Sequence, residues 1–398
     1  MSRLSPDRKH RHPNDVAEMV PVTLKTLQVG NHWLGEHDGG LERFYFELLR
    51  HLPETGTGCR GLVVGTPEVG RMTNGAVVAF ATPNASLIKR LLQCRRVGAA
   101  LGSFDLISVH FGLYGLPWLD HIRSMPSVIQ FQGSWAGESG AEGAQGLNIM
   151  LKQLVESKVY DHARRFLVLS KAFQQELTSR YRIDESRIRI VPGGVDIQRF
   201  NTALTRQEAR ERLGWPENRF IALSIRRQVR RMGLENLIEA TKLLRVRHPE
   251  LLVLLGGSGP LAAELQQRID EHGLANHVML LGRVTDEDLP LAYRAADVSV
   301  VPTHSLEGFG LITVESMASG TPVLVTPVGG LPETILPFAP ECVFPDTSTA
   351  ALTSVLGEFL DGVRKLPSSD ACRAYAVAGF SWPRVARMVR DVYDEAVG

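Results

Sequence analysis

Two glutamates beside a pair of glycines are the residues of this sequence whose types and spacing best predict a chemistry. Glu307 precedes Gly308 and Gly310, and Glu315 lies inside the helix that the pattern predicts from Leu311 onward. A strand that ends in a glycine-rich turn before a helix presents free backbone N–H groups and the positive end of the helix dipole, which favour a phosphate. Carboxylates repel phosphate but accept hydrogen bonds from sugar hydroxyls. The segment therefore predicts a pocket for a phosphorylated and polyhydroxylated ligand such as a nucleotide sugar, with a turn bearing solvated glutamates as the alternative.

The residues around these glutamates also resemble the signature of a known family. The pattern Glu-Gly-Phe-Gly-(x)4-Glu-(x)2-Ala-x-Gly-Thr-Pro-Val, over residues 307–323, is similar to that of the retaining family 4 glycosyltransferases. Shorter similarities follow in Val191–Asp196, Leu255–Pro260, Leu281–Val284 and Val328–Glu333. The resemblance implies the GT-B fold, in which two Rossmann-like, doubly wound parallel-sheet domains face a cleft and a C-terminal helix crosses back to the N-terminal domain.

The resemblance also implies a division of roles between the two carboxylates. Glu307 would hold hydroxyls of the transferred sugar at the catalytic centre, and Glu315 would hold the ribose hydroxyls of the nucleotide. The other residues that we assign to the donor are Gly39, Gly40, Gly257, Arg283, Val284, Gly308, Phe309, Gly310 and Leu311.

Four arginines follow the strand predicted at 219–225 and are candidates for a diphosphate clamp. They are Arg226, Arg227, Arg230 and Arg231. Arginine offers paired donors to phosphate oxygens and stays charged, although basic runs also occur in nucleic-acid sites. The family has an arginine here and a lysine five residues later, whereas Arg227 is followed by Met232 in this chain. We expect Arg227 and Arg231 to be catalytic, with Arg231 replacing the missing lysine. A solvated basic turn is the alternative for Arg226 and Arg230.

A second glycine-rich segment, Gly256–Pro260, follows the strand predicted at 251–256 and precedes a helix. Alone such a loop indicates only a tight turn. Its position between the arginines and the Glu307 turn favours a place in the nucleotide pocket. The segment Leu281–Val284 resembles the family segment whose backbone contacts the base.

The N-terminal half contributes candidates at the ends of its predicted strands. Gly39 and Gly40, at the start of the helix predicted at 40–51, would either bring the backbone close to the donor or simply begin the helix. His110 ends the strand predicted at 106–110, where the family often keeps an active-site histidine. In the next loop, Trp135 would stack on a sugar face and Glu138 would orient acceptor groups.

Composition excludes several classes of function. The chain has 398 residues, of which 44% are hydrophobic and 22% charged, with a net charge of +1, so it has no general attraction to nucleic acid. Its four cysteines lack metal-ligand spacing, and no Asp-x-Asp motif lies at the predicted phosphate site, so we expect no metal and no cofactor. No apolar run reaches the roughly 18–20 residues of a membrane span, and the first twenty residues lack a secretory signal's apolar core. We expect a cytoplasmic protein.

Short strand-like runs alternate with helix-like segments along the whole chain, which predicts parallel sheets covered by helices. A proline and two glycines interrupt the alternation in Pro192–Phe200. We therefore predict a disordered extension at 1–21, an acceptor-binding domain at 22–195, a nucleotide-sugar-binding domain at 196–378 and a crossover helix at 379–398.

The helix predicted over 86–100 combines four apolar residues with a basic side. The apolar residues are Leu87, Ile88, Leu91 and Leu92. A basic amphipathic helix can make weak peripheral contact with an anionic membrane. We favour the alternative, in which the helix packs on its sheet and its basic side is solvated.

Together these features predict a retaining, metal-independent glycosyltransferase that moves a sugar from a nucleoside-diphosphate sugar, with UDP as the expected carrier, to an acceptor hydroxyl. A glycan, a lipid-linked intermediate and a small molecule all remain open as acceptors. A non-catalytic nucleotide-sugar-binding protein, suggested by Met232, and a sugar-nucleotide epimerase of the same fold are the alternatives. A glycosidase that uses the two glutamates is disfavoured by the phosphate-binding glycines between them.

Overall fold

The computed structural model describes residues 21–37, 39–137 and 146–398, and it divides the chain into two compact units. Unit 1 contains the described residues up to Val168, together with Gln174–Val191 and Trp382–Gly398. Unit 2 contains Leu169–Phe173 and Pro192–Ser381. The five residues from Leu169 to Phe173 were placed by the sequence prediction in the first domain, and they belong to unit 2.

Unit 1 is built on a parallel sheet that has seven strands among the described residues, in the order β3-β2-β1-β4-β5-β6-β7. The strands are β1 (Leu24–His32), β2 (Thr57–Val64), β3 (Val77–Ala81), β4 (Leu106–Val109), β5 (Ser127–Phe131), β6 (Arg165–Val168) and β7 (Ile188–Ile190). All residues of β4 and β5 are buried, as expected for central strands covered on both faces. The chain leaves neighbouring β1 and β4 in opposite directions, so the loops after these two strands part and leave a crevice.

Helices cover the sheet of unit 1. They are α1 (Gly40–His51), α2 (Glu68–Met72), α3 (Leu87–Ala99), α4 (Gly112–Gly115), α5 (Leu119–Ser124), α6 (Leu147–Tyr160) and the larger part of α7 (Lys171–Tyr181), with the last helix, α17 (Trp382–Val397). Helix α17 buries one apolar face that includes Trp382, Val389 and Tyr393. The Tyr393 hydroxyl lies 3.1 Å from Ser108 Oγ, and Gln28 Nε2 donates to it at 3.1 Å. The last helix thus completes unit 1.

Helix α3 packs on its sheet as the sequence predicted, but not through the apolar residues that the sequence indicated. Leu87, Ile88 and Leu92 are exposed, and Ile88 leaves 73% of its surface in solvent. The helix instead buries Cys94 and Gly98, because a Cβ at Gly98 would lie 2.3 Å from the Trp118 ring. The small residues let the helix approach the indole, so that only Leu91 of the four apolar residues is half-buried and the other three are exposed.

Unit 2 is built on a second parallel sheet, with the order β10-β9-β8-β11-β12 among the described residues. The strands are β8 (Phe220–Ile225), β9 (Leu251–Gly256), β10 (Val278–Gly282), β11 (Val298–Val301) and β12 (Val323–Val325). Strands β9 and β11 are wholly buried, and the one polar residue of β11, Ser299, is hydrogen-bonded to Ser316. The strand order reverses between β8 and β11, which places the loops after these strands at the position where open α/β sheets bind ligands.

Helices cover the sheet of unit 2 as well. They are α8 (Ile197–Phe200), α9 (Arg206–Leu213), α10 (Leu234–Leu244), α11 (Ala262–Glu271), α12 (Asp288–Ala295), α13 (Leu311–Ala318), α14 (Leu331–Ile335), α15 (Thr349–Leu360) and α16 (Ser369–Phe380). Helix α9 begins with a capping box in which Thr205 and Glu208 satisfy each other's backbone N–H groups. None of the described helices is both long and apolar enough to cross a membrane. The predicted fold class, two doubly wound parallel sheets with a last helix that belongs to the first unit, is confirmed.

Candidate active site

The loops that follow β8, β9 and β10 in unit 2 are joined by backbone contacts. Arg226 N donates to Gly256 O at 2.9 Å, and Gly257 N donates to Gly282 O at 2.7 Å. Gly257 has a φ of +120°, and a Cβ there would lie 2.0 Å from Arg226 O. Only glycine allows the second loop to lie this close to the arginine segment. The glycine loop predicted from sequence therefore does contact the basic segment.

The turn after β11 leads directly into helix α13. Gly310 is the residue before the helix, with a φ of +79°, and no side chain caps this helix end among the described residues. Phe309 is buried, and a Cβ at Gly308 would lie 2.1 Å from the Phe173 ring. The turn is thus held by packing on both sides, and no side chain of the described residues accepts from the first N–H groups of α13. This helix end has the geometry expected of an anion site, and the binding of a phosphate here stays a prediction.

Arg226 and Glu307 form an ion pair at the reversal point of the sheet. Arg226 Nη2 lies 2.5 Å from Glu307 Oε2, and the two side chains are 6% and 15% exposed. The same nitrogen donates to Thr303 Oγ1 at 3.0 Å and lies 2.7 Å from Met232 Sδ. The solvated turn that the sequence left open for Arg226 is wrong, because the guanidinium points into the unit. The alternative describes Arg230, an exposed residue that pairs with Glu264.

The backbone of Glu307 is fixed by the glycines of the turn after β12. Gly330 N donates to Glu307 O at 3.0 Å, and a Cβ at Gly329 would lie 1.8 Å from the same oxygen. Gly329 also has a φ of +55°. This segment, Val328–Glu333, was predicted only as part of the family resemblance, and in the structure it fixes the position of the Glu307 peptide.

Glu315 lies on α13 and is buried, with 6% of its surface exposed. Tyr293 Oη donates to Glu315 Oε2 at 3.4 Å. The carboxylate is therefore in a more enclosed environment than that of Glu307, one turn or so along the same helix from the Gly308–Gly310 turn.

The remaining predicted cations of unit 2 lie at its surface or contact the backbone. Arg227 and Arg283 are exposed, next to buried Arg226 and half-buried Val284. Arg231 Nη1 donates to Leu306 O at 2.7 Å, and Arg231 O accepts from His304 N at 2.8 Å. Arg231 thus ties the short 3-10 helix Arg230–Met232 to the loop that carries Glu307.

In unit 1, His110 lies directly after β4 and is 2% exposed. Its Nε2 lies 3.0 Å from Gln28 Oε1, while its buried Nδ1 has no partner among the described residues. Burial lowers the pKa of the imidazole to about 3, because removing water disfavours the charged form. His110 is therefore neutral at physiological pH and can act as a hydrogen-bond partner but not as a standing positive charge.

Gly39 and Gly40 begin α1 as predicted, and a carboxylate already lies at this helix end. Glu42 Oε1 accepts from Asn31 Nδ2 at 3.1 Å, and a Cβ at Gly39 would lie 2.3 Å from Glu42 Oε2. Burial raises the pKa of the Glu42 carboxyl, although its hydrogen bonds oppose this. A donor phosphate at this turn would have to displace the Glu42 side chain.

Trp135 is the first of the helical residues 135–137, whose backbone is bound by the buried Glu156. Glu156 Oε1 accepts from Trp135 N at 2.8 Å, and Glu156 Oε2 accepts from Tyr181 Oη at 2.7 Å. Lys152 Nζ lies 4.6 Å from the centre of the Trp135 ring. The Trp135 backbone is thus fixed by Glu156 and its ring is in contact with Lys152, and the stacking of a sugar on the indole stays a prediction. The predicted acceptor residue Glu138 lies outside the described residues.

The structure therefore brings together the predicted residues Gly257, Glu307, Gly308 and Gly310 in unit 2, and it places His110, Gly39 and Trp135 in unit 1. The residues predicted to be catalytic or donor-binding did not include Arg226, which was only one of four clamp candidates, or Gly329, which was noted only within a family-like segment, and Thr303 was not singled out at all. The position of Arg226 directly after β8 indicated that it could lie in the site. The sequence did not indicate which of the four arginines points into the unit.

Comparisons with known proteins identify the family of this chain. Residues 205–376 match the family model of glycosyl transferases group 1, and residues 38–199 match the model of Glycosyltransferase Family 4. The D-inositol 3-phosphate glycosyltransferase of Salinispora tropica is 30% identical over 95% of this chain and 86% of its own length. The same-named protein of Mycobacterium sp. (strain KMS) is 32% identical over 83% of this chain and 79% of its own length.

Solved structures show the same fold at lower identity. Sucrose-phosphate synthase from Thermosynechococcus elongatus has a TM-score of 0.76 and 21% identity, covering 94% of this chain and 98% of that one. Anabaena HepE in complex with UDP-glucose also has a TM-score of 0.76, with 18% identity, covering 94% of this chain and all of that one.

Proposed function

We propose that this chain, which belongs to glycosyltransferase family 4 and has the GT-B fold, transfers a sugar from a nucleoside-diphosphate sugar to an acceptor hydroxyl with retention of configuration. The observation that carries the proposal is the position of the Glu307 carboxylate, beside a buried guanidinium and the N-terminus of α13. Such a site suits a ligand with phosphate at one end and hydroxyls at the other. UDP is the expected carrier, since HepE was solved with UDP-glucose.

The diphosphate would lie at the N-terminus of α13, where backbone N–H groups and the helix dipole stabilise the charge that grows as the sugar leaves. Arg227 and Arg231 would add positive charge from the loop after β8. Glu307 would hold hydroxyls of the sugar, and Glu315 those of the ribose. The bond from sugar C1 to the phosphate oxygen breaks and its electron pair leaves with the diphosphate, the acceptor oxygen bonds to C1, and the acceptor proton passes to the departing diphosphate. No metal enters this scheme.

Unit 1 would bind the acceptor through its loops after β4 and β5. Neutral His110 offers one hydrogen-bonding nitrogen, and Trp135 offers a flat apolar face. The names of the relatives make D-inositol 3-phosphate the first acceptor to test. Glycan, lipid-linked and other small acceptors follow.

The test is a panel of nucleotide sugars, each added to the purified chain with a chelator and without one. A donor at about 100 times its dissociation constant should stabilise the fold by roughly 2.7 kcal/mol, which thermal unfolding detects readily. Acceptors are then screened with the stabilising donor by mass spectrometry of the products. Stabilisation that appears only with Mg²⁺ or Mn²⁺ would contradict a metal-free site.

Two rivals give different outcomes in the same assay. A non-catalytic binder would show donor stabilisation without any product, across all acceptors. An epimerase would convert the nucleotide sugar to an isomer of the same mass when no acceptor is present, which chromatography of the donor pool resolves.

A further inference from the structure

Arg226 is a charged side chain that lies almost entirely inside unit 2. The residue is 8% exposed, and its Nη2 contacts Glu307, Thr303 and Met232. Its buried Nε has no hydrogen-bond partner among the described residues. A guanidinium is retained inside a protein only where a carboxylate and further acceptors offset the loss of water. Glu307 is the carboxylate that does so here, and one donor of Arg226 is left without an acceptor.

The Met232 side chain ends in contact with the Arg226 guanidinium. Met232 Sδ lies 2.7 Å from Arg226 Nη2, and Met232 is itself buried. A longer cationic side chain at position 232 would therefore end close to the Glu307 carboxylate. Arg226 reaches this place from the end of β8, whereas a residue at 232 reaches it from the 3-10 helix before Gly233. A side chain at position 226 or at position 232 can therefore place a cation beside the Glu307 carboxylate.

Arg231, which the sequence favoured for this charge, is engaged elsewhere. Its Nη1 donates to the carbonyl of Leu306, a residue in the left-handed region with a φ of +56°. This contact stabilises the loop backbone and leaves the guanidinium outside the Glu307 ion pair.

We propose that Arg226 supplies the positive charge that Met232 lacks and positions Glu307 for the donor sugar. Resting on the proposed function, this makes Arg226 a positioning residue of the transfer reaction. The ion pair fixes Glu307 Oε2, so that the other oxygen faces the sugar hydroxyls in one orientation. The guanidinium also keeps a cation at the end of β8, where it would add to the positive charge that Arg227 offers to the departing phosphate.

The experiment removes the cation at position 226 and restores one at position 232. Arg226→Ala should lower kcat with the donor by about 100-fold or more, the usual cost of one preorganised donor. Its affinity for bare UDP, which lacks the sugar, should fall far less. Adding Met232→Lys to Arg226→Ala should recover activity at least about tenfold, since the lysine returns a cation to the same place. Met232→Lys alone should lower the melting temperature, because it puts a second cation against Arg226.

The matched control is Arg230→Ala, which removes an exposed cation of the same segment and should leave kcat unchanged. Full activity in Arg226→Ala would overturn the inference, as would a folded double variant with no recovery. If Arg226→Ala does not fold, the activity of the folded double variant is compared with that of wild type. Activity in the double variant supports the inference, and its absence contradicts it. A wild-type chain that neither binds nucleotide nor transfers sugar would overturn the proposed function itself. A wild-type chain that turns over the donor while Arg226→Ala keeps full activity would overturn only the role of Arg226.

Discussion

Glu307 lies in the turn before α13 and Glu315 lies within that helix, and their surroundings differ. Glu307 is in an ion pair with Arg226 at the turn, and Glu315 is enclosed on α13 beside the hydroxyl of Tyr293. A ligand whose diphosphate lies at the N-terminus of α13 would therefore meet the two carboxylates with different parts of its structure. The pair offers a residue-level test of how the donor is oriented.

We expect Glu315→Gln to weaken binding of both UDP and the intact donor, since it would contact the ribose that both share. Glu307→Gln should spare UDP but impair use of the donor, since it would contact only the sugar. Calorimetric titration of both variants with both ligands measures this directly. Equal losses of UDP affinity in the two variants would mean that the donor lies in the reverse orientation.

Burial of His110 makes part of the stability of unit 1 depend on pH. Its pKa is about 3 in the folded chain, against an ordinary value near 6.5 in the unfolded chain. Below pH 6.5 the unfolded state therefore takes up a proton that the folded state refuses, so stability falls as the pH falls toward the folded pKa. The loss approaches about 1.4 kcal/mol per pH unit for one such group.

His110→Gln should remove that contribution, because glutamine does not titrate. The difference in unfolding free energy between wild type and variant should shrink, or move in the variant's favour, as the pH is lowered from 7 to 5. His32, whose pKa burial lowers to about 4, adds a similar slope to both proteins and cancels in the difference. Parallel pH curves for the two proteins would show that the folded imidazole does take up a proton in this range.

At the scale of elements, the candidate site is formed by loops at the ends of neighbouring strands. These loops lie so close together that two of the contact positions have room only for glycine. Gly257 and Gly329 both adopt a positive φ beside a carbonyl oxygen, of Arg226 in one case and of Glu307 in the other. The two glycines therefore bring the loops after β9 and β12 against the two members of the ion pair. Backbone packing, more than side-chain contact, sets the spacing between the charges.

Gly257→Ala should cost roughly 1–3 kcal/mol of stability and also weaken UDP binding, because the loop after β8 must shift. Gly362→Ala is a matched control, since Gly362 has a φ of +72° with nothing within 4 Å of a new Cβ. It should lose stability from backbone strain alone and keep its affinity for UDP. Melting temperature and calorimetry distinguish the two. Unchanged UDP affinity in folded Gly257→Ala would show that this loop does not shape the pocket.

The elements themselves were predictable, since periodicity and glycine placement depend only on local sequence. The helix at 40–51 has its predicted bounds, and α13 begins at Leu311 as expected. The inward turn of Arg226 was not predictable, because it depends on Glu307, which lies 81 positions away and meets it only in the folded sheet. The outward face of α3 was missed for a similar reason: the close approach of Gly98 to Trp118 outweighs the leucine pattern.

At the scale of the whole molecule, the two units divide the predicted residues unequally. The Glu307 turn, the Gly257 loop and the arginine segment all belong to unit 2, while His110 and Trp135 belong to unit 1. Each sheet carries its own strand-order reversal, between β8 and β11 in one and between β1 and β4 in the other. Two ligand-binding edges are what a reaction between two substrates requires.

Bare UDP should therefore protect the backbone amides of unit 2 from hydrogen exchange more than those of unit 1. The expected segments are 226–233, 256–259 and 305–312, with little change in 107–110. Mass-spectrometric hydrogen exchange with and without UDP measures this at peptide resolution. Protection confined to unit 1 would mean that the nucleotide and acceptor edges have been assigned the wrong way round.

The hydrogen bond between Gln28 and Tyr393 joins residues 365 positions apart. At about 5–20 residues per second, a ribosome needs roughly 20–70 seconds to make the chain between them. During that interval β1, β4 and β5 exist without the helix that covers them, and the buried amides of Gln28 and Gln130 lack their tyrosine partner. All of unit 2 emerges first. The nascent chain therefore carries a sheet without its covering helix for as long as the second unit is being made.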